Sequence, residues 1–278
     1  MKFGKPWLVA ALLSLLIACG GGDNSSSSST ASNTPVVRSE TLPFSSRILQ
    51  DSYPLTVLLP PAYAEMTQAL PVILVLDGRW HQARVADEVA AAGTAAIVVG
   101  LGNDIRREPD FVPPDFHGTL PGLGDGQADL YVAMLRDEVL PLLEQRYRID
   151  PSQRYLMGHS LGGLLVEYAL LNDNPNEPTY RGYFASDASN FNVDYLDQLE
   201  QRLYQESSRL PVKLFVGSAT AGNNTLAQHV GRAMEDHHYP ELQLTIRSYQ
   251  TDHNGIMALA VPDAMSFFFA SAAVSSTP

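Results

Sequence analysis

Ser160 stands in Gly158-His159-Ser160-Leu161-Gly162, a Gly-x-Ser-x-Gly run, and its hydroxyl is a candidate nucleophile. An alcohol attacks a carbonyl poorly at neutral pH, so a base must lie within hydrogen-bond reach. Donors must also meet the negative charge that develops. In chains built on such an elbow the acid and then the histidine follow the serine, the histidine on the loop after the last strand. That loop is 249–255, and its single histidine, His253, is the candidate general base. The backbone N–H of Leu161 and that of Arg79, in the loop after another strand, are the candidate oxyanion donors.

The acid stays open between three readings. Its usual place, 218–225, holds no carboxylate. Asp187 follows a predicted strand at 182–186 and is the substitute, with capping of the next segment as its structural alternative. A Ser–His dyad is the second reading. Asp252 is the third and stands behind both, because a neighbour of the histidine normally points elsewhere. Asp77 reads as a turn former. Among the other histidines, His159 reads as packed inside the elbow and His237 and His238 as surface residues ending a helix. No partner is identified for His81, His117 or His229. Neither metal-ligand spacing nor a dinucleotide glycine pattern is present, so no cofactor and no metal is expected.

These groups need elements to hold them. Tyr155 to His159 is a short apolar run that reads as a strand, and Leu164 to Leu171 has helical character, so the serine sits at a strand–elbow–helix junction. Runs at 44–50 and 53–59 predict a hairpin. Continuous apolar runs at 71–76 and 95–100 predict parallel strands covered on both faces, with 81–92 as the crossover helix. Residues 127–147 predict a long helix that Pro141 kinks or divides, and a Pro- and Gly-rich loop at 101–124 precedes it. Strands at 212–217 and 242–246 and helices at 226–237 and 255–270 complete an α/β pattern of eight strands, mostly parallel, with ligands expected at the carboxyl edge.

The 278 residues, 45% of them hydrophobic, suffice for one α/β domain of ordinary size. A formal net charge of −12 with 18 scattered basic residues leaves no basis for holding a polyanion, so nucleic acid is not an expected partner. Cys19 is the one cysteine, which excludes an intramolecular disulfide. It follows a charged start and an apolar run too short to span a bilayer comfortably, so residues 1–18 read as a signal peptide resembling a bacterial lipobox with Cys19 as the lipidated residue. Residues 19–40 read as a flexible Gly/Ser tether and 41–278 as the catalytic domain. Gly20 takes the place of the aspartate that retains many such lipoproteins at the inner membrane, so the expected location is the bacterial cell envelope, at the outer membrane facing the periplasm.

Val75-Leu76-Asp77-Gly78, Arg107-Glu108-Pro109-Asp110-Phe111-Val112-Pro113, Glu138-Val139-Leu140-Pro141 and Gly158-His159-Ser160-Leu161-Gly162-Gly163 together resemble the esterase D and enterochelin esterase-like family of α/β-hydrolases, over roughly 44–269. The resemblance implies the α/β-hydrolase fold, with helices on both faces of its sheet. It also implies Ser160 as nucleophile, His253 as base and the N–H groups of Leu161 and Arg79 as oxyanion hole. Within the family, 217–224 looks most like the matching loop of periplasmic trilactone siderophore esterases, which implies a Ser–His pair without the acid. Ala185-Ser186-Asp187-Ala188-Ser189 departs from their Ser-Pro-Ser pattern.

The expected activity is that of a lipid-anchored serine hydrolase cleaving a small-molecule carboxylic ester. The narrower alternative is a siderophore trilactone esterase, in which Arg106 and Arg107 meet an anionic substrate; otherwise those two are solvated loop charges. From a different class, a catalytically inactive surface-binding lipoprotein is the remaining alternative.

Overall fold

A strand that is buried on both faces carries apolar residues at every position, and alternate side chains enter different cores. The run Leu70–Val75 follows that rule: Val72 and Leu74 join one buried cluster, Ile73 and Val75 another. The same alternation places Ile97 and Val99 on one side and Val98 on the other.

The computed structural model describes residues 38–102, 106–114, 116, 126–207 and 209–269. The expected signal peptide, Cys19, nearly all of the expected tether, His117 and half of the loop at 101–124 lie outside these residues. In chain order the elements begin with β1 (Arg38–Leu42), β2 (Ser45–Ser46), β3 (Asp51–Ser52), β4 (Leu55–Leu59) and β5 (Leu70–Val75). They continue with α1 (Gly78–Ala91), β6 (Ile97–Leu101), α2 (Arg107–Phe111), α3 (Ala128–Met134) and α4 (Leu140–Arg146). Next come β7 (Ile149–His159), α5 (Leu161–Leu171), β8 (Gly182–Ser186) and α6 (Val193–Glu206). The last are β9 (Lys213–Ala221), α7 (Thr225–His237), β10 (Gln243–Asp252) and α8 (Ile256–Phe269).

Eight strands form one sheet in the order β1-β4-β6-β5-β7-β8-β9-β10. β4 pairs antiparallel with both β1 and β6, and every later pairing is parallel. α1 and α8 supply Val85, Val89, Ile256, Ala260 and Phe268 to the core on one face, while α3 to α7 cover the other. The chain runs from β5 outward to β6 and returns on the far side of β5 to β7. This reversal opens a crevice at the carboxyl ends of β5 and β7, the topological switch point where such sheets bind ligands. Among the described residues no helix is long and apolar enough to cross a membrane.

Two expectations are corrected. The first strand of the sheet is Arg38–Leu42, not 44–50; residues 45–46 and 51–52 form only a small separate ribbon. β1 therefore takes in Arg38 to Glu40, assigned from sequence to the tether. It is an edge strand, mostly exposed and polar, held by its ladder to β4 rather than by buried apolar area, so no hydrophobic pattern announces it. α1 starts at Gly78 rather than at His81, because Asp77 at φ 52° turns the chain straight from strand into helix. A Cβ on Gly78 would lie 2.3 Å from Gly100 Cα, so only glycine lets α1 rest on β6. Residues 128–146 run as α3, a π turn at Leu135–Val139, and α4. Pro141 offers no N–H to the preceding turn, and the chain widens just before it.

Candidate active site

β5, β7, β8 and β10 end at one edge of the sheet, with β9 between the last two, and each is followed by a residue of the site. At the end of β7, Ser160 takes φ 61° and ψ −121°, a conformation that L-residues avoid. It is held there from three sides: its N–H donates to Ser186 O at 2.9 Å, and its carbonyl accepts from Leu164 and Ser189 N–H, each at 3.1 Å. Gly158 is required, since a Cβ there would lie 2.2 Å from Gly162 O. Gly162 is less demanding, its Cβ position lying 3.3 Å from Asp77 Oδ2, and Gly163 presses its Cβ side to 3.0 Å from Ala188 Cα. The first turn of α5, where Leu161 opens the helix, therefore packs beside the junction of β5 and α1. Arg79 is the second residue of α1. Two helix N-termini, with their positive dipole ends, meet at the same edge.

Asp187 follows β8 at φ 43° and is fully buried. Its Oδ2 accepts the His253 Nδ1–H at 2.6 Å. The end of β9 and the loop after it, which have no carboxylate of their own, wrap this one: Ala219 N–H donates to Oδ1 at 2.9 Å and Asn223 N–H to Oδ2 at 3.0 Å. The Asn223 side chain also donates to the carbonyls of Asp187 and Ala188. A Cβ on Gly222 would stand 2.2 Å from Asp187 Oδ2, so the glycine makes room for the carboxylate. Burial pushes the Asp187 carboxyl up, but the bonds from His253, Ala219 and Asn223 outweigh it and hold the group below the usual carboxylate range. Asp187 is thus an anion joined to the imidazole edge. Asp252 turns away and accepts Gly255 N–H at 2.8 Å, a local cap.

The Ser160 hydroxyl lies 3.2 Å from the Ser189 hydroxyl, which is its hydrogen-bond partner among the described residues. Ser189 was missed in the sequence, where nothing marks a serine two residues past Asp187 as facing the elbow. Ser160 and His253 line one crevice of about 380 Å³ together with Asp77, Trp80, His81, Arg107, His159 and Asn254. A serine hydroxyl and an imidazole in one crevice, the imidazole fixed by a carboxylate, can carry out acyl transfer; free enzymes often show the serine–histidine bond long and tighten it only with substrate.

Arg107 and Arg106 are not solvated loop charges. Arg107 bonds Asp77 at 2.6 Å, lies between Trp80 and Phe111, and lines the crevice. Arg106 instead pairs with Asp51 at 2.8 Å and with the buried Asp110 at 3.7 Å. His229 pairs with Asp197 at 2.7 Å, and His237 with Glu200 at 2.8 Å while its ring stacks on Tyr204, so neither belongs to the crevice.

α5, apolar on all sides and buried from Gly162 to Leu171, carries one carboxylate, Glu167. Its Oε2 accepts from Asn190 at 2.7 Å and its Oε1 has no partner among the described residues. Burial, opposed by that bond, pushes its carboxyl up to about 8. The folded protein thus holds a proton there that the unfolded chain releases near the ordinary value, and stability from this group falls as pH rises between those two pKa values. Glu167→Gln is expected to be more stable than wild type by on the order of 3 kcal/mol at pH 7. Denaturant melts should show the gap widening from about pH 5 to about pH 8.

Eight strands in this order, a strained serine elbow after the central strand, and a histidine after the last strand define an α/β-hydrolase. Residues 46–239 match the model of the Esterase family, "Putative esterase", and the chain belongs to that family. Among curated proteins it is 28% identical over 131 residues to the ferri-bacillibactin esterase BesA of Bacillus subtilis, covering 40% of this chain and 45% of that one. It is 26% identical over 180 residues to the apo-salmochelin esterase of Escherichia coli O6:H1, covering 58% of this chain and 55% of that one. The chain thus spans about half the length of the curated relatives it matches. An IroE-like serine hydrolase from Shewanella oneidensis has the same fold, with a TM-score of 0.71 and 22% identity over 82% of this chain and 79% of that one.

Proposed function

We propose that the protein is a serine hydrolase that cleaves carboxylic esters through an acyl-enzyme on Ser160. The observation that carries this reading is the 2.6 Å bond from His253 Nδ1 to the buried Asp187, beside the Ser160 elbow in one crevice. With Nδ1–H held as a donor to the Asp187 carboxylate, Nε2 has a free lone pair and acts as general base. Ser160 Oγ adds to the ester carbonyl as His253 takes its proton. The oxyanion is met by the N–H groups of Leu161 and Arg79. The proton then passes to the leaving alcohol, the ester C–O bond breaks, and water repeats the sequence on the acyl-enzyme. A fluorophosphonate is expected to form one adduct, placed on Ser160 by peptide mass spectrometry. An adduct elsewhere, or none, would overturn the reading.

The narrower reading, a siderophore trilactone esterase, is favoured by the names of both curated relatives and by the Arg107 guanidinium in the crevice wall, a site for an anionic substrate group. The carboxylate on His253 sets this site apart from the Ser–His pair that the resemblance implies. Hydrolysis of a catecholate trilactone faster than simple alkyl esters is the measurement that separates the two.

The location belongs to the same proposal. Its support is the sequence around Cys19, and the protein is read as anchored through that residue in the outer membrane, facing the periplasm. Metabolic fatty-acid labelling is expected in the full chain and lost in Cys19→Ala; labelling that persists would remove the anchor from Cys19.

A further inference from the structure

Asp187 holds the His253 ring by one edge, and a single hydrogen bond fixes a point on a ring without fixing its plane. The His253 side chain is 32% exposed, so solvent leaves one side of it unsupported. The ring of His159 lies against its face, with centroids 4.4 Å apart and planes inclined at 39°. We propose that His159 is a positioning residue that braces the face of the His253 imidazole, as Asp187 braces its edge. The inference rests on the reading of His253 as general base.

His159 is built for support rather than for reaction. It ends β7, where the parallel register sets it opposite Ser186, and its Nδ1–H donates to Ser186 O at 3.1 Å. That bond ties His159 to the residue just before Asp187, so face support and edge support descend from one strand pair. On its other side His159 meets the ring of His81 edge-on, at 5.7 Å. The groups around it are His253 after β10, His81 on α1 and Asp187 after β8, with Arg107 and Arg84 beyond His81. Burial, aided by His253 and His81, pushes His159 down to about 3, so it is neutral when His253 takes a proton and offers a ring face to a cation. A filler of the elbow needs only volume. A brace needs a flat ring face.

The test compares His159→Phe, which keeps a ring, with His159→Leu, which fills the space without one. Thermal melts establish that each variant folds. The expected result is kcat lowered about 10²-fold in His159→Leu with KM little changed, and most of that loss restored in His159→Phe. A second readout needs no activity: the downfield proton resonance of the His253–Asp187 bond is expected to be sharp in wild type and His159→Phe and exchange-broadened in His159→Leu. Equal kcat and equally sharp resonances in all three would overturn the brace, as would equal impairment of Phe and Leu. If His253→Ala kept full turnover, the base assignment would fail, while the resonance would still report on the brace.

Discussion

Ser160→Ala is expected to lower kcat on short p-nitrophenyl esters by about 10⁶-fold, with no fluorophosphonate adduct. The size follows from the architecture: the elbow aims one hydroxyl at the crevice, and with that nucleophile gone the acyl-enzyme route is closed. A residual rate of about 10³-fold over water would come from the oxyanion donors and substrate binding. Stability should be little changed. The backbone bonds that hold residue 160 do not use its side chain, and the lost hydroxyl contact is a single one, to Ser189. A labelled and active Ser160→Ala protein would end the proposed mechanism.

Asp187→Ala is expected to lower kcat by about 10⁴-fold, because His253 then loses both its tautomer and its neighbouring anion. It should also lose stability, since the N–H groups of Ala219, buried, and Asn223, half-buried, are left without their acceptor, at about 1–3 kcal/mol for the buried one. Asp187→Asn is milder. Two donors converge on Oδ2 and one on Oδ1, so the amide oxygen takes the Oδ2 place and keeps the His253 tautomer, while its NH2 faces Ala219 N–H. The losses are then the charge and the bond from Ala219 N–H, which meets a second donor, and kcat falls about 10²-fold. Because the Asp187 carboxyl sits below its ordinary value, its contribution to stability is present above the unfolded-state value and disappears as pH falls through the folded one. Asp187→Ala should flatten that acid-side dependence. Full turnover in both variants would leave a Ser–His dyad as the mechanism.

What was legible in the sequence was local. Strand, elbow and helix around Ser160 follow one another within a few residues, so backbone sterics and hydrophobic run lengths suffice to find them. The parallel strands at 71–76 and 95–100 announce themselves because burial on two faces leaves continuous apolar runs. β1 did not, because its ladder to β4 replaces the buried side chains that a pattern search relies on.

The partner of His253 is another kind of fact. Asp187 and His253 are 66 residues apart in the chain, and their bond needs β8 and β10, on either side of β9, to leave the sheet at the same edge, β10 running on to Ala221 of β9 where β8 stops at Gly217. It also needs Gly222 to stand clear of the carboxylate and the N–H groups of Ala219 in β9 and Asn223 in the loop beyond to face it. The lack of an acid in 218–225 was visible in the sequence, yet its meaning was not, since the same residues serve a dyad or a loop that clasps an acid from the neighbouring strand. Likewise Arg106 and Arg107 are alike as neighbours in sequence, and only packing sends one to Asp51 and the other to the crevice wall. The sequence by itself determined the strand–elbow–helix that holds Ser160 and the order of the sheet-forming runs, because both are written in short-range sterics and burial. The tertiary structure alone decided which carboxylate meets His253 and which ring lies on its face, because those contacts depend on how distant strand ends are set against one another.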